Sequence, residues 1–427
     1  MSAPKFSRRR LLEALPLIVP ARVLGRDRAV APGDRVTVAC IGTGWQGSNN
    51  VKSFVEEPGA QVVAACDIDA DHLESARQTI NEKYGNRDCK AYHNFEDVLA
   101  RDDIDAVMLA VPDHWHGVLS VAAADAGKDI YGEKPLAHNW AEGYAICQAV
   151  ERAGCVWQTG SWQRSLGDFR LACELVRNGR IGKVTRAEVV LPGGLTDFDG
   201  LGNQDSPVPP PKTLDYNRWL GPAPEAPYSP ARVHKTWRWN LDYGGGMLMD
   251  WVGHHIDIAH WGLGYDETGP VEVHGTGEFL PSHRVWNAPS RFRVTARYAT
   301  GVTMEITGGY ETRRGTKWIG DEGWIWVDRS GLDAHPRSIL TSRIGPNEIR
   351  LERSPGHHRQ FLECVKSRRR TLTPPDVALR SATPGYLGLI SILTGSPVRW
   401  DPVQQKILDN PVAERFLSRP MRSPWRV

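Results

Sequence analysis

Gly42-Thr43-Gly44-Trp45-Gln46-Gly47 stands directly after the apolar, strand-length run 36–41 and directly before a helix-compatible segment. That is a G-x-G-x-x-G loop in the context it needs. Gly42 permits a tight turn, Gly44 lets the backbone approach a pyrophosphate, and Gly47 allows a helix to pack closely on a strand. Phosphates would sit at the helix N-terminus, where free N–H groups and the helix dipole favour negative charge. A second apolar run, 61–66, ends in Asp67, at the distance expected of the carboxylate that accepts a ribose 2′-hydroxyl. The same carboxylate repels a 2′-phosphate and no arginine follows to neutralise one, so the reading is NAD rather than NADP. Trp45 and Gln46 in the loop, with Pro112 after the next strand, complete this side of a cofactor site.

Two further groups could act on a bound substrate. Glu133-Lys134-Pro135 closes a short apolar strand, and the Lys134 ammonium is suited to stabilising the negative charge that grows on a substrate oxygen as hydride departs or arrives. An X-Pro bond adopts cis at modest cost, which could fix a turn that aims the lysine; a surface lysine before a proline is the plain alternative. Farther on, Gly244-Gly245-Gly246 leads to Asp250 and His254, spaced i, i+4 so that they share a helix face, with Asp257 one turn beyond. An imidazole titrates near operating pH and can take the hydroxyl proton. Asp250 would orient His254 or bind substrate. His255, Asp257 and His260 enlarge the cluster toward something a divalent metal could use, but the same residues fit a redox cleft without an ion, and no metal is assigned. Pro112-Asp113-His114-Trp115-His116 falls where a parallel sheet places ligands, so His116 or its neighbours should line the nicotinamide side; helix capping by Asp113 explains part of this segment equally well.

The glycine loop, the P-x-x-x-H of Pro112 to His116, the E-K-P of 133–135 and the G-G-x-x-x-D-x-x-x-H ending at His254 together resemble the Gfo/Idh/MocA oxidoreductases. The resemblance implies that Glu133 and Lys134 lie beside the nicotinamide, that Lys134 contacts the reacting oxygen, and that Asp250 and His254 complete the catalytic set. It places Gln163, Arg164 and His255 on the substrate side, although Arg164 could instead be a structural ion-pair residue. Trp237, in Trp237-Arg238-Trp239, could stack on a sugar or serve the core. The implied activity is NAD-dependent hydride transfer on a sugar or polyol. Alternatives are an NAD-dependent glycoside hydrolase working by transient oxidation and elimination, or a non-catalytic sugar or nucleotide sensor. A homodimer or homotetramer formed through the C-terminal sheet is also implied.

The elements that must position these residues are legible in outline. Strand and helix patterns alternate from 34 to 160, which predicts an α/β Rossmann domain with a doubly wound parallel sheet. Residues 161–400 predict an α+β domain, because 271–327 alternates apolar and polar residues between glycine-rich turns, as a large, mainly antiparallel open-faced sheet does; the resemblance implies that this domain makes the substrate and oligomer contacts. A long loop spans 192–219, and 401–427 is read as a tail. With 52 basic and 50 acidic residues and a net charge of +2, the chain lacks the field that nucleic-acid binding requires. Its 7 cysteines show neither zinc-ligand spacing nor a disulfide framework. Residues 1–33 form a basic arm whose Arg8-Arg9-Arg10, followed by a weakly apolar stretch too short for stable membrane insertion, resembles a twin-arginine export signal. Periplasmic export of a folded protein is expected, with a cytoplasmic enzyme carrying a basic arm as the alternative.

Overall fold

The structure, a computed structural model, describes residues 30–280, 285–310 and 312–427. The arginine-rich segment expected to direct export lies outside the described residues. Among the described residues, no helix is long and apolar enough to cross a membrane.

Six strands form the first sheet: β1 (Val36–Ile41), β2 (Ala60–Cys66), β3 (Lys90–Tyr92), β4 (Ala106–Leu109), β5 (Asp129–Gly132) and β6 (Trp157–Thr159). Their order is β3-β2-β1-β4-β5-β6 and every pairing is parallel. Burial on both faces follows from the apolar runs: Val38 and Cys40 of β1 join one core, while Ala39 and Ile41 join the other. The strand order reverses between β1 and β4, which opens a crevice at the carboxyl edge. Into this crevice the glycine loop delivers helix α1 (Trp45–Glu56). Gly42 holds φ at +80°, and a Cβ on Gly47 would lie 2.1 Å from the Gly42 carbonyl oxygen, so larger residues at either position would break the turn.

The second sheet has nine strands, β7 (Val184–Leu191), β8 (Glu272–Glu278), β9 (Arg291–Arg297), β10 (Thr303–Gly308), β11 (Gly315–Gly320), β12 (Trp324–Asp328), β13 (Gly331–His335), β14 (Val398–Asp401) and β15 (Lys406–Leu408). Their order is β13-β12-β11-β7-β10-β9-β8-β14-β15, and β7 with β10 is the parallel pair in an otherwise antiparallel ladder. The period-2 alternation puts Phe292, Val294 and Ala296 of β9 in the core, against helices on that face.

Two features depart from the sequence-based outline. The helix expected to run unbroken after Gly246 is a short α-helix (Gly246–Asp250), a π turn (Val252–Ile256) and a second α-helix (Asp257–Leu263). Helix His357–Ser367 also does not stay with the second sheet. Phe361, Leu362 and Val365 of helix His357–Ser367 bury in the same core as Val38 and Val62, because their i, i+4 apolar stripe has no other cover. The segment read as a tail packs too: β15 pairs with β14, Arg419 bonds the Glu142 carboxylate at 2.9 Å, and Trp425 meets Trp115 edge-on.

Candidate active site

A cavity of about 790 Å³ occupies the crevice and reaches the second domain. Its wall includes Gly42, Gly44, Trp45, Gln46, Asp67, Pro112, Glu133, Lys134, Trp237, Asp250 and His254, residues widely spaced along the chain. Helix α1 begins without a side-chain cap, so its first N–H groups remain available to an anion at the cavity wall. Asp67 Oδ2 accepts from the Thr43 N–H at 2.7 Å and its hydroxyl at 3.0 Å, while Oδ1 accepts from the Asp69 N–H at 2.9 Å. These bonds fix the carboxylate beside the glycine loop and leave lone pairs for a ribose hydroxyl. Loop, uncapped helix and oriented carboxylate therefore fit a dinucleotide.

Glu133 reaches back to α1. Its Oε1 accepts from Asn50 at 2.9 Å and from Gln46 at 3.2 Å, and burial pushes its carboxyl above the usual range. The next residue, Lys134, points the other way, and the Lys134–Pro135 peptide is cis. Lys134 Nζ donates to Asp250 Oδ1 at 2.9 Å and to the Asp250 carbonyl at 2.8 Å. Arg238 Nε donates to the same Oδ1 at 3.0 Å. Burial would raise the Asp250 carboxyl, but Lys134 and Arg238 outweigh it and hold it well below the ordinary value. Gly253 makes room for this lysine: a Cβ there would lie 2.7 Å from Lys134 Cβ.

His254 sits on the π turn, where one extra backbone unit turns the following side chains relative to a regular helix, a feature frequent at functional positions. Its ring packs edge-on against Trp251 and Trp162, with centroids 5.2 and 6.2 Å apart. Its Nδ1 is buried and, among the described residues, has no hydrogen-bond partner. Burial first, then Lys134 and Arg329, push its pKa well below 6.5, so it is neutral near neutral pH and able to accept a proton. Asp250 engages Lys134 and Arg238 rather than orienting His254, which revises the pairing expected from the i, i+4 spacing.

Four other sequence-named residues stand behind the cavity wall. Both ring nitrogens of His116 lie against carbonyls, Nδ1 at 2.7 Å from Pro135 O and Nε2 at 2.9 Å from Val111 O, so it braces the turn after Lys134 while Pro112, Asp113 and Trp115 line the cavity. His255 is turned inward by the π turn and rests 3.1 Å from Asp328. Arg164 is fully buried between Asp257, at 2.7 and 2.8 Å, and Asp266, at 2.8 Å, which makes it the structural ion-pair residue. Gln163 is buried and acts through a neighbour, accepting from Arg329. The residues that could have formed a metal cluster are separated by these partnerships, since His260 bonds Tyr298 at 2.7 Å. Trp237 borders the cavity while packed with Leu214 and Trp219.

Sequence reasoning missed several wall residues. Arg238 adjoins the expected Trp237, but its role depends on Asp250, 12 positions away. Arg329 sits in the turn between β12 and β13, where nothing local signals a cavity. Asp69, His72 and His234 bring one ligand atom each to within 4.8 Å of one another at the wall near the glycine loop, joining the two domains in a way no spacing pattern reveals.

Known proteins match over this whole architecture. Residues 36–161 match the model for the oxidoreductase family NAD-binding Rossmann fold, and 174–427 match the model for the same family's C-terminal alpha/beta domain. The scyllo-inositol 2-dehydrogenase (NAD(+)) of Bacillus subtilis is 24% identical over 380 residues, 86% of this chain and 97% of that protein. Glycosyl hydrolase family 109 protein 2 of Shewanella sp. (strain ANA-3) is 33% identical over 162 residues, which span 36% of this chain and only 35% of the relative. Among solved structures, the aldose-aldose oxidoreductase of Caulobacter crescentus complexed with glycerol superposes with a TM-score of 0.64 at 19% identity, covering 86% of this chain and 99% of that one. GenD2 from gentamicin A biosynthesis, in complex with NAD, also gives 0.64 at 19% identity, covering 88% and 99%. With a Rossmann crevice, an E-K-P lysine and a glycine-led Asp/His segment around one cavity, and with both domain models matched, the chain belongs to the Gfo/Idh/MocA oxidoreductase family.

Proposed function

We propose that the protein transfers a hydride between a hydroxyl-bearing carbon of a sugar or polyol and the nicotinamide of NAD. The observation that carries this reading is Lys134 Nζ, held 2.9 Å from Asp250 Oδ1 in the same cavity as the glycine loop and His254. Bound NAD supplies the hydride acceptor or donor. Neutral His254, whose ring borders the cavity, accepts the hydroxyl proton as the substrate is oxidised. The Lys134 ammonium stabilises negative charge on the same oxygen, and Asp250 with Arg238 keeps that ammonium in place. Asp67 favours NAD over NADP because a second anion beside its carboxylate would be repelled.

The similarity of 36% of the chain to a glycosyl hydrolase family 109 protein supports a second reading, hydrolysis of a glycoside through transient oxidation with no net change in NAD. Incubation with NAD or NADP and a panel of polyols, sugars and glycosides separates the two. Net formation of reduced nicotinamide supports the dehydrogenase, whereas product release without it supports hydrolysis.

The proposal extends to assembly and location. The outward face of the second sheet carries a shallow recess among Glu188, Arg293, Tyr310 and Trp324, the surface on which a second copy would pack to give a dimer or tetramer. Export rests on Arg8 and Arg9, and lysine at both positions should retain the protein in the cytoplasm; unchanged fractionation would remove the export reading.

A further inference from the structure

Building on the reading that this cavity oxidises or reduces a sugar, we propose that the substrate is an anionic sugar whose carboxylate or phosphoryl group pairs with Arg329. Arg329 opens the two-residue turn between β12 and β13, where Asp328 pairs with Gly331, and it lines the cavity that holds Lys134 and His254. The guanidinium is held from behind. Its Nε and Nη2 both donate to Oε1 of the buried Gln163, at 3.2 and 3.1 Å. Its central carbon lies 4.6 Å from the Trp162 ring centroid and 4.7 Å from that of Trp251. These contacts direct the group without neutralising it.

Among the described residues, no carboxylate forms an ion pair with Arg329. The adjacent Asp328 is taken by His255 at 3.1 Å and Arg314 at 3.1 Å, and Asp250 is taken by Lys134 and Arg238. A guanidinium carries five N–H donors in a planar fork, and two of these converge on one amide oxygen here. The remaining donors suit the paired oxygens of a carboxylate or phosphoryl group. Charge near His254 points the same way. Lys134, Arg238 and Arg329 face the Asp250 carboxylate, with Glu133 beside Lys134, while burial keeps His254 neutral and raises the Glu133 and Asp113 carboxyls above their ordinary range. The uncompensated positive field at this end of the cavity favours an anion.

Calorimetric titration of the full-length, NAD-loaded protein with gluconate, glucuronate, glucose 6-phosphate and glucose tests this. The carboxylate arms or the phosphate arm should bind at least about tenfold more tightly than glucose, and the advantage should shrink at high salt. Which arm wins identifies the anion. Arg329→Ala should abolish the difference between charged and uncharged ligands and Arg329→Lys should restore part of it, with circular dichroism confirming that both variants are folded. The proposal is overturned if no acid binds more tightly than glucose, or if Arg329→Ala weakens charged and uncharged ligands equally. Failure of the dehydrogenase reading would appear elsewhere, as turnover without net reduced nicotinamide, and would leave the binding preference measurable.

Discussion

Lys134 and Asp250, 116 positions apart, are joined twice: the lysine ammonium donates to the aspartate side chain at 2.9 Å and to its backbone carbonyl at 2.8 Å. The end of a Rossmann strand is thereby tied to the start of the π turn that carries His254. Arg238 shares the carboxylate, so one anion orders two cations at the mouth of the second domain. Replacing Lys134 with methionine keeps much of the side-chain volume and removes the charge. This should lower kcat by about 100- to 1000-fold, the scale for loss of a preorganised donor to a developing oxyanion, while NAD affinity, read by quenching of tryptophan fluorescence, is retained.

Asp250→Asn leaves two cations facing each other without their common anion. Because the pair keeps some contact with cavity water, the expected loss in urea denaturation is on the order of 2–3 kcal/mol, below the range for a fully enclosed pair. An unchanged unfolding midpoint together with full activity would show that Asp250 anchors nothing.

Gly253→Ala tests the geometry without changing any charge. The added methyl would meet Lys134 Cβ at 2.7 Å and must displace it. A shift of about 1 Å in a reacting group costs on the order of 100-fold in rate, so kcat should fall sharply while NAD affinity stays near that of the parent.

Arg164→Ala separates a structural role from a substrate role. The buried Asp257 would lose its guanidinium, and stability should drop by about 3–5 kcal/mol. If the variant instead stayed as stable as the parent and showed only a raised KM, Arg164 would belong to the substrate site after all.

His357 supplies a pH test with a defined sign. Burial lowers its pKa from 6.5 to about 3, so between those values the unfolded chain binds a proton that the folded chain refuses. The stability contributed is present above pH 6.5 and is lost as pH falls toward 3, at about 1.4 kcal/mol per pH unit. The difference in unfolding free energy between the parent and His357→Gln, measured by urea titration at successive pH values, should therefore move against the parent below pH 6.5. A constant difference would contradict the assigned burial effect.

Much of the first domain was legible because its signals are local. The run 36–41, the glycines at 42, 44 and 47 and the acidic end of the second strand appear in the structure at the positions expected. The second domain's sheet was also readable from period-2 alternation, as β9 illustrates. What escaped reading depends on distant partners. Arg164 looks equally suited to substrate or scaffold until Asp266, 102 positions away, is seen beside it. The π turn carries no periodic signature, so the helix face shared by Asp250 and His254 was drawn too regularly, and His255 was placed outward when it faces Asp328. Gly331 marks a hairpin near Arg329, but only the assembled sheet brings that hairpin to the cavity.

The most direct test of a Lys134–Asp250–His254 site for hydride transfer follows the hydride itself. Polyols and sugars deuterated at their hydroxyl-bearing carbons are incubated with the protein and NAD, and the nicotinamide is analysed by mass spectrometry. Deuterium should accumulate on the reduced nicotinamide with the parent protein and about 100-fold or more slowly with Lys134→Met. Consumption of substrate with the nicotinamide left unlabelled, or equal labelling by the lysine variant, would contradict the account.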